Sequence, residues 1–456
     1  MPRANAITYF LVCFTVIFVT VAYGGVHQPI LALFYLLIAA MTITTVADAF
    51  KAYAWRVDKS LLQIPLFAAA AYGFIQTIPF GSLGEMAGVD SIPRTISTDP
   101  FSTEVNALHF LALGIFFSIT LLVFCNSSRI KRTVSLIIVF GFLFSFFAIL
   151  QLFLSPNRIY GIYDTHFATP FGSFVNRHNF AAFIEMCLCV PLGMLFSGAV
   201  RRDRHLLFIT AVSLMGIALI LSGSRGGFVA MLAGLIVVVV LTRTSRGKKQ
   251  IIMKAALAAA LLLVVIGGAV VVGGESSLTR FVESAQSKDI STNRFYIWNV
   301  TLKVIGANMP FGAGLGAFGV AFTTLDTNSG LERVEQAHND YLQVASDAGL
   351  IGIGIGGLFL YLFFKVGLRN VRTEHRYRRG VVIGSFAGCV AVLVHSLFDF
   401  VLHTSAISLL FLVLLALVVT AGRKYDDDDP DDLQRHRRKR FVGIVGKSTN
   451  TGNLAA

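Results

Sequence analysis

Five polar groups, each beside an apolar run, carry the residue types that could do chemistry. Ser222-Gly-Ser-Arg-Gly-Gly227 sets Arg225 among small residues that let the backbone approach a ligand and expose its N–H groups. A guanidinium fork beside such a nest suits a phosphate or diphosphate; the same residues would equally make a tight interhelical turn with a snorkelling arginine. Arg294 and Trp298 are four apart and share one helix face, with Ile305 further along it. That spacing suits a cation over an indole, whether structural or ligand-binding. His338-Asn339-Asp340 falls at the expected start of a helix, where the dipole disfavours protonation of an imidazole and leaves it able to accept a proton from a hydroxyl. A plain capping histidine is the alternative. Asn176-Arg177-His178-Asn179 opens another run with Glu185 about two turns inside it, a costly placement that points to a polar path or a paired partner. His395, Asp399 and His403, at i, i+4 and i+8, would form one polar stripe on a helix. Such a stripe could line a proton relay in a transporter or buttress an outward cavity in an enzyme.

The elements that must hold these groups are set by composition. Of 456 residues, 55% are hydrophobic and 14% charged, and mean hydropathy is +0.72, which excludes a soluble multidomain protein. The expected fold is an all-α polytopic membrane protein. Twelve apolar runs long enough to cross a bilayer fall near residues 6–23, 29–47, 61–78, 105–125, 133–154, 178–197, 205–222, 227–242, 252–272, 348–366, 380–401 and 404–421. The third is the weakest, interrupted by Gln63, Pro65 and Gln76. The first has only Arg3 before it and no small-x-small cleavage site, so it reads as a retained helix and not a signal peptide.

With both termini cytoplasmic, 29 of the 38 Lys and Arg fall in inside segments, and every inside loop is basic. The net charge of +13 is therefore a topology signal, and no nucleic-acid partner is implied. The nine outward cations are Arg94, Arg158, Arg177, Arg225, Arg280, Lys288, Arg294, Lys303 and Arg333. The five cysteines lie in or beside apolar runs and make no disulfide or zinc spacing.

The outside carries connections at 79–104, 155–177 and 273–347, the last of 75 residues and with aromatic and aliphatic residues at helical spacing. Ser291-Thr292 can cap a helix through about Ile305, ended by Gly306 and Pro310. Gly312, Gly314, Gly316 and Gly319 then read as a flexible turn region, and a second helix starts near Ala337. Three units follow: helices over 1–160, a transmembrane core over 161–421 that includes the periplasmic loop 273–347, and a tail over 422–456. Opposed Asp and Arg blocks in that tail predict a disordered cytoplasmic segment, with contact of Arg437–Arg440 to anionic lipid as the alternative. No GxxxxGK[ST], HExxH, GxSxG, paired CxxC or outward DxD-like pair is present, so the sequence lends no support to nucleotide-driven or metal-assisted chemistry.

Taken in order, Phe171–Ala182, Ser222–Phe228, Asn293–Trp298, Pro310–Phe318, Ala337–Leu342 with Gly349-Leu-Ile-Gly352, and His395–Phe400 resemble the O-antigen ligase and Wzy-type polymerase family of membrane glycosyltransferases. The resemblance spans about residues 165–420; the first four helices match only in kind.

It implies an undecaprenyl-diphosphate-linked glycan donor, a lipid- or glycan-linked sugar acceptor, inversion at the anomeric carbon, and neither metal nor cofactor, in the bacterial inner membrane with the site facing the periplasm. On the matching positions, His338 would deprotonate or orient the acceptor hydroxyl, and Arg225 and Arg294 would hold the diphosphate and stabilise charge on the leaving group. Asn176 and Asn179 would line the site, with Trp298 and Asn339 beside the arginine and the histidine. His178 stands where related sequences often carry another polar residue, and Arg280 is an unaligned further candidate. Ligase, polymerase and protein oligosaccharyltransferase share this motif set, and ligase is the reading preferred. The rivals from other classes are a lipid-linked glycan flippase or proton-coupled exporter, motivated by Glu185 and the 395/399/403 stripe, and a membrane scaffold.

Overall fold

The computed structural model describes residues 3–82, 93–165, 168–242, 294–327 and 334–423, together with 256, 258, 259, 262, 263, 266 and 267. The described chain is helical apart from one two-stranded hairpin, β1 (Arg158–Ile159) and β2 (Tyr163–Asp164). Eleven helices follow the apolar runs: α1 Arg3–Val21, α2 Gln28–Ala52, α3 Ile64–Thr77, α4 Pro100–Val123, α5 Ser127–Leu154, α6 Arg177–Phe196, α7 His205–Leu221, α8 Arg225–Leu241, α11 Asp340–Asn370, α12 Arg376–His395 and α13 Ser405–Ala421. Between α8 and α11 lie α9 (Arg294–Ala307) and the short α10 (Phe318–Thr323). Seven helices are long and apolar enough to cross a membrane, and α1, α3, α8 and α13 contribute shorter apolar stretches. The ninth expected span, at 252–272, falls mostly outside the described residues, as do the tail and Arg280, Lys288 and Arg333.

The core is built where α6, α12, α8 and α13 meet. Almost all of α6 and α13 is buried. Helices in lipid gain little from hydrophobic contrast, so close approach at small residues must supply the packing. Here Gly193 of α6 faces the backbone of Gly384 in α12, and a Cβ on either would collide with the other helix.

Two expectations about the long outer segment change. The region Gly312–Gly319 is not a free turn. Gln76, buried in α3, donates to the carbonyls of Phe311 (3.0 Å) and Asp347 (2.9 Å) and accepts from the Leu315 N–H (3.1 Å), while Tyr72 donates to Phe311 O (2.6 Å). The expected helix from Ala337 and the span at 348–366 are one element, α11, broken at Gly349, whose φ of +56° and ψ of −145° are non-helical. A side chain there would strike the Pro310 carbonyl, and one on Gly312 would strike Asp347 O. The glycines let the loop backbone nest against the break in α11. α9 runs on to Ala307, past Gly306.

Candidate active site

Three helix N-termini meet the turn that follows α12. Asn176 caps α6 by accepting from the His178 N–H (2.9 Å), Ser224 caps α8 by accepting from Gly227 N–H (3.1 Å), and Asn339 caps α11 by accepting from the N–H groups of Tyr341 (2.9 Å) and Leu342 (3.1 Å). Asn and Ser at these positions satisfy otherwise orphaned backbone donors, which is why the helices start there. Two of the caps also reach a neighbouring element. Asn339 Nδ2 donates to Leu397 O (3.0 Å), and the Asp340 N–H donates to Ser396 O (2.9 Å), fastening the start of α11 to the 396–399 turn. Ser224 Oγ lies 2.9 Å from His178 Nδ1, which joins the start of α8 to that of α6.

At the centre is Asp399. Its Oδ2 is 3.3 Å from an Arg294 guanidinium nitrogen and 3.9 Å from His178 Nδ1, and its Oδ1 is 3.3 Å from His338 Nδ1 and accepts from the Phe400 N–H at 3.0 Å. The carboxylate side chain is 4% exposed, while Arg294 and His338 keep 32% and 25% of theirs open. Burial works to raise the Asp399 carboxyl, but the hydrogen bond with His338 and the charge interactions with His178 and Arg294 prevail and hold it well below the usual carboxylate range. It is therefore an anion at neutral pH, able to accept a hydrogen bond from the ring nitrogen of His338 that faces it.

His338 is held firmly. Its φ of +50° lies in the left-handed region, where a side chain costs of order 1 kcal/mol and which active-site residues often occupy. Phe400 packs edge-on to its ring at 4.9 Å, and Trp298 Nε1 donates to the carbonyl of the preceding residue, Ala337 (3.0 Å).

Several sequence readings are thereby located. Arg294 and His338 are brought onto one carboxylate. Arg225, the first residue of α8, follows directly on Ser224 and so stands beside the His178 contact. Arg294 and Trp298, one turn apart, take different partners instead of stacking on each other, because Asp399 and the Ala337 carbonyl are the stronger polar targets. Asn176 and Asn339 serve as caps at the rim, Asn179 is buried in the first turn of α6, and Arg280 lies outside the described residues.

The stripe expected from His395, Asp399 and His403 does not form. α12 ends at His395, the chain turns, and the three side chains go to three separate partners. His395 Nδ1 meets Glu185 at 3.1 Å with both side chains fully buried, Asp399 takes Arg294 and His338, and His403 Nδ1 meets Asp340 Oδ1 at 2.9 Å. Burial lowers the basicity of His403, but the bond to Asp340 outweighs it and its pKa is raised. Asp399 is the residue of this cluster that spacing alone misplaces: the helical period puts it on the wrong element, although it lies within the motif His395-Ser-Leu-Phe-Asp-Phe400.

No curated protein matches the chain in a sequence comparison. A family model described as O-antigen ligase matches residues 210–355, about a third of the chain, which takes in Arg225, Arg294, Trp298, His338 and Asn339 but stops short of Asp399. Over those residues the chain is similar to the O-antigen ligase family.

Proposed function

We propose that the protein moves a glycan from undecaprenyl diphosphate to an acceptor sugar hydroxyl at the periplasmic face of a bacterial inner membrane, as an O-antigen ligase. One observation carries the reading: a single buried carboxylate, Asp399, meets both His338 and Arg294. In this reading the ionised Asp399 accepts from His338 Nδ1–H and fixes the tautomer in which Nε2 can take a proton. The acceptor hydroxyl gives its proton to Nε2 as its oxygen forms a bond to the anomeric carbon. The bond from that carbon to the diphosphate oxygen breaks, and its electron pair leaves with the diphosphate. Attack opposite the leaving group inverts the anomeric centre.

A diphosphate is already a good leaving group, so it calls for cations and not for a second carboxylic acid. Arg294, oriented by Asp399, and Arg225, at the N-terminus of α8, supply that charge, and the α8 dipole adds to it. Trp298, Asn176, Asn179, Asn339 and Arg280 take the part of substrate-lining groups. Preference for a lipid-anchored core acceptor over another repeat unit or a protein hydroxyl rests on the family description.

The test is transfer in proteoliposomes loaded with a polyprenyl-diphosphate-linked glycan and offered each acceptor class in turn. Wild-type protein is expected to form product with a lipid-anchored sugar acceptor, and His338→Ala to form none while keeping its thermal transition. Full transfer by His338→Ala would remove the proposed base. Movement of donor across the vesicle that depends on Asp399, without any product, would instead favour the flippase reading.

A further inference from the structure

At the end of the bundle remote from His338, α1, α2 and the end of α4 enclose a cavity of about 110 Å³. α1 runs from this end to Val21, beyond which Gly24 packs on Phe174 and Thr404 near the candidate active site, so the two lie on opposite faces. The cavity lining includes Asn5, Thr45, Asp48 and Arg56. Nothing in the reaction uses them.

Asp48 has an unmet need. Its Oδ2 accepts a long hydrogen bond from Asn5 Nδ2 (3.4 Å), and its Oδ1 is buried with no partner. Asn5 cannot turn to serve it better. The Asn5 Oδ1 accepts from the Arg129 guanidinium (2.5 Å), whose other contacts, to Asn5 O (3.2 Å) and Val123 O (2.8 Å), hold it in place. A carboxylate with one oxygen lacking a donor and the other holding a single long bond is poorly satisfied, so a donor reaching the half-buried Asp48 through the cavity would be bound well. Arg56 lines the same cavity yet makes no ion pair with Asp48. One wall is thus anionic and another cationic, with space between them.

The depth of the cavity narrows the occupant. Just past α2, Tyr53, Trp55 and Val57 are 98%, 71% and 78% exposed, and Trp55 meets Phe50 edge-on at 5.8 Å. Exposed aromatic rings followed by basic residues, here Arg56 and Lys59, mark the level of lipid headgroups. We propose that the cavity is a binding site for a zwitterionic phospholipid headgroup bearing a primary ammonium, phosphoethanolamine, with the ammonium on Asp48 and the phosphate toward Arg56. A quaternary ammonium has no N–H to give Asp48, and an anionic glycerol headgroup offers it no positive charge.

The test uses the full chain, purified in detergent, stripped of lipid and titrated with phosphatidylethanolamine, phosphatidylcholine, phosphatidylglycerol or free phosphoethanolamine, with bound molecules counted by native mass spectrometry. Phosphatidylethanolamine should be held about tenfold more tightly than the other two lipids, the scale of one charge-assisted hydrogen bond. Asp48→Asn should abolish that preference. Arg56→Gln, at an exposed side chain whose loss leaves the packing intact, should weaken binding of phosphatidylethanolamine severalfold while the preference remains. Equal retention of the three lipids by the wild type, an undiminished preference in Asp48→Asn, or undiminished binding of phosphatidylethanolamine in Arg56→Gln overturns the proposal. Binding of free phosphoethanolamine without any lipid preference would mark a soluble-amine site and overturns the lipid assignment.

Discussion

Two histidine–carboxylate pairs sit near the same face of the molecule at almost the same separation, His338 with Asp399 at 3.3 Å and His395 with Glu185 at 3.1 Å. Their surroundings are opposite. Glu185 and His395 are wholly buried among α6, α8 and α12, where Gly226 leaves just enough room for the imidazole edge. In the Asp399 cluster only the carboxylate is buried; His338 and Arg294 keep a quarter to a third of their surface open. Identical chemical groups therefore divide into a pair that can hold helices together and a cluster that can receive a substrate. What separates them is which partner faces out, and in the Asp399 cluster it is the histidine and the arginine.

Mutations should separate the two pairs along different axes. The largest effect is expected for His338→Ala, a loss of about 10²–10⁴-fold in glycan transfer, the usual range for a general base, with little change in thermal midpoint. Glu185→Ala should do the reverse. Taking one partner from a buried pair costs about 3–5 kcal/mol, so its melting temperature falls well below wild type while the remaining folded protein still transfers glycan. Loss of transfer in Glu185→Ala at an unchanged melting temperature would erase the distinction. Arg294→Lys keeps the charge but loses the planar fork, and about a tenfold drop in transfer is expected, read as kcat at saturating donor. Trp298→Phe removes the hydrogen bond to Ala337 O and should cost about 1 kcal/mol, seen as a severalfold fall in transfer with the fold intact.

The smallest effect is a pH dependence beside the cluster. His403 has a raised folded pKa, so its bond to Asp340 contributes stability fully below its ordinary value of about 6.5 and loses it as pH rises through the raised value. Hydrogen exchange at residues 401–404 should therefore gain protection on going from alkaline to mildly acidic pH, beyond the intrinsic rate change; protection that grows toward alkaline pH would contradict the pairing. Asp399 has the opposite sign. Its depressed pKa keeps the pairing with Arg294 present above the ordinary carboxylate range and lost only in strong acid, so the cluster stays charged across neutral pH.

Much of this was legible from residue order. The helices came from apolar runs, and the caps at Asn176 and Ser224 stand where polar residues precede those runs. The motifs likewise named Arg294 and His338, which meet on one carboxylate. What stayed hidden depended on contacts distant in sequence. Gln76 weakened the third apolar run and read as a flaw, but it is the group that holds the Phe311–Leu315 loop against the start of α11, more than 230 residues away. Glycines that read as freedom are instead sites of close backbone contact, because a missing Cβ allows either outcome and only the neighbour decides. Asp399 was assigned to a helical stripe because Ser396-Leu-Phe-Asp-Phe400 contains neither proline nor glycine to announce that α12 has ended.

The central claim is that Asp399 serves the reaction by holding His338 and Arg294, and Asp399→Asn tests it most directly. Asparagine keeps the size of the side chain but removes the charge that sets the His338 tautomer and binds Arg294. In the proteoliposome assay, transfer per folded molecule should fall at least about 100-fold, with the donor still bound. Transfer by Asp399→Asn at the wild-type rate would contradict the account.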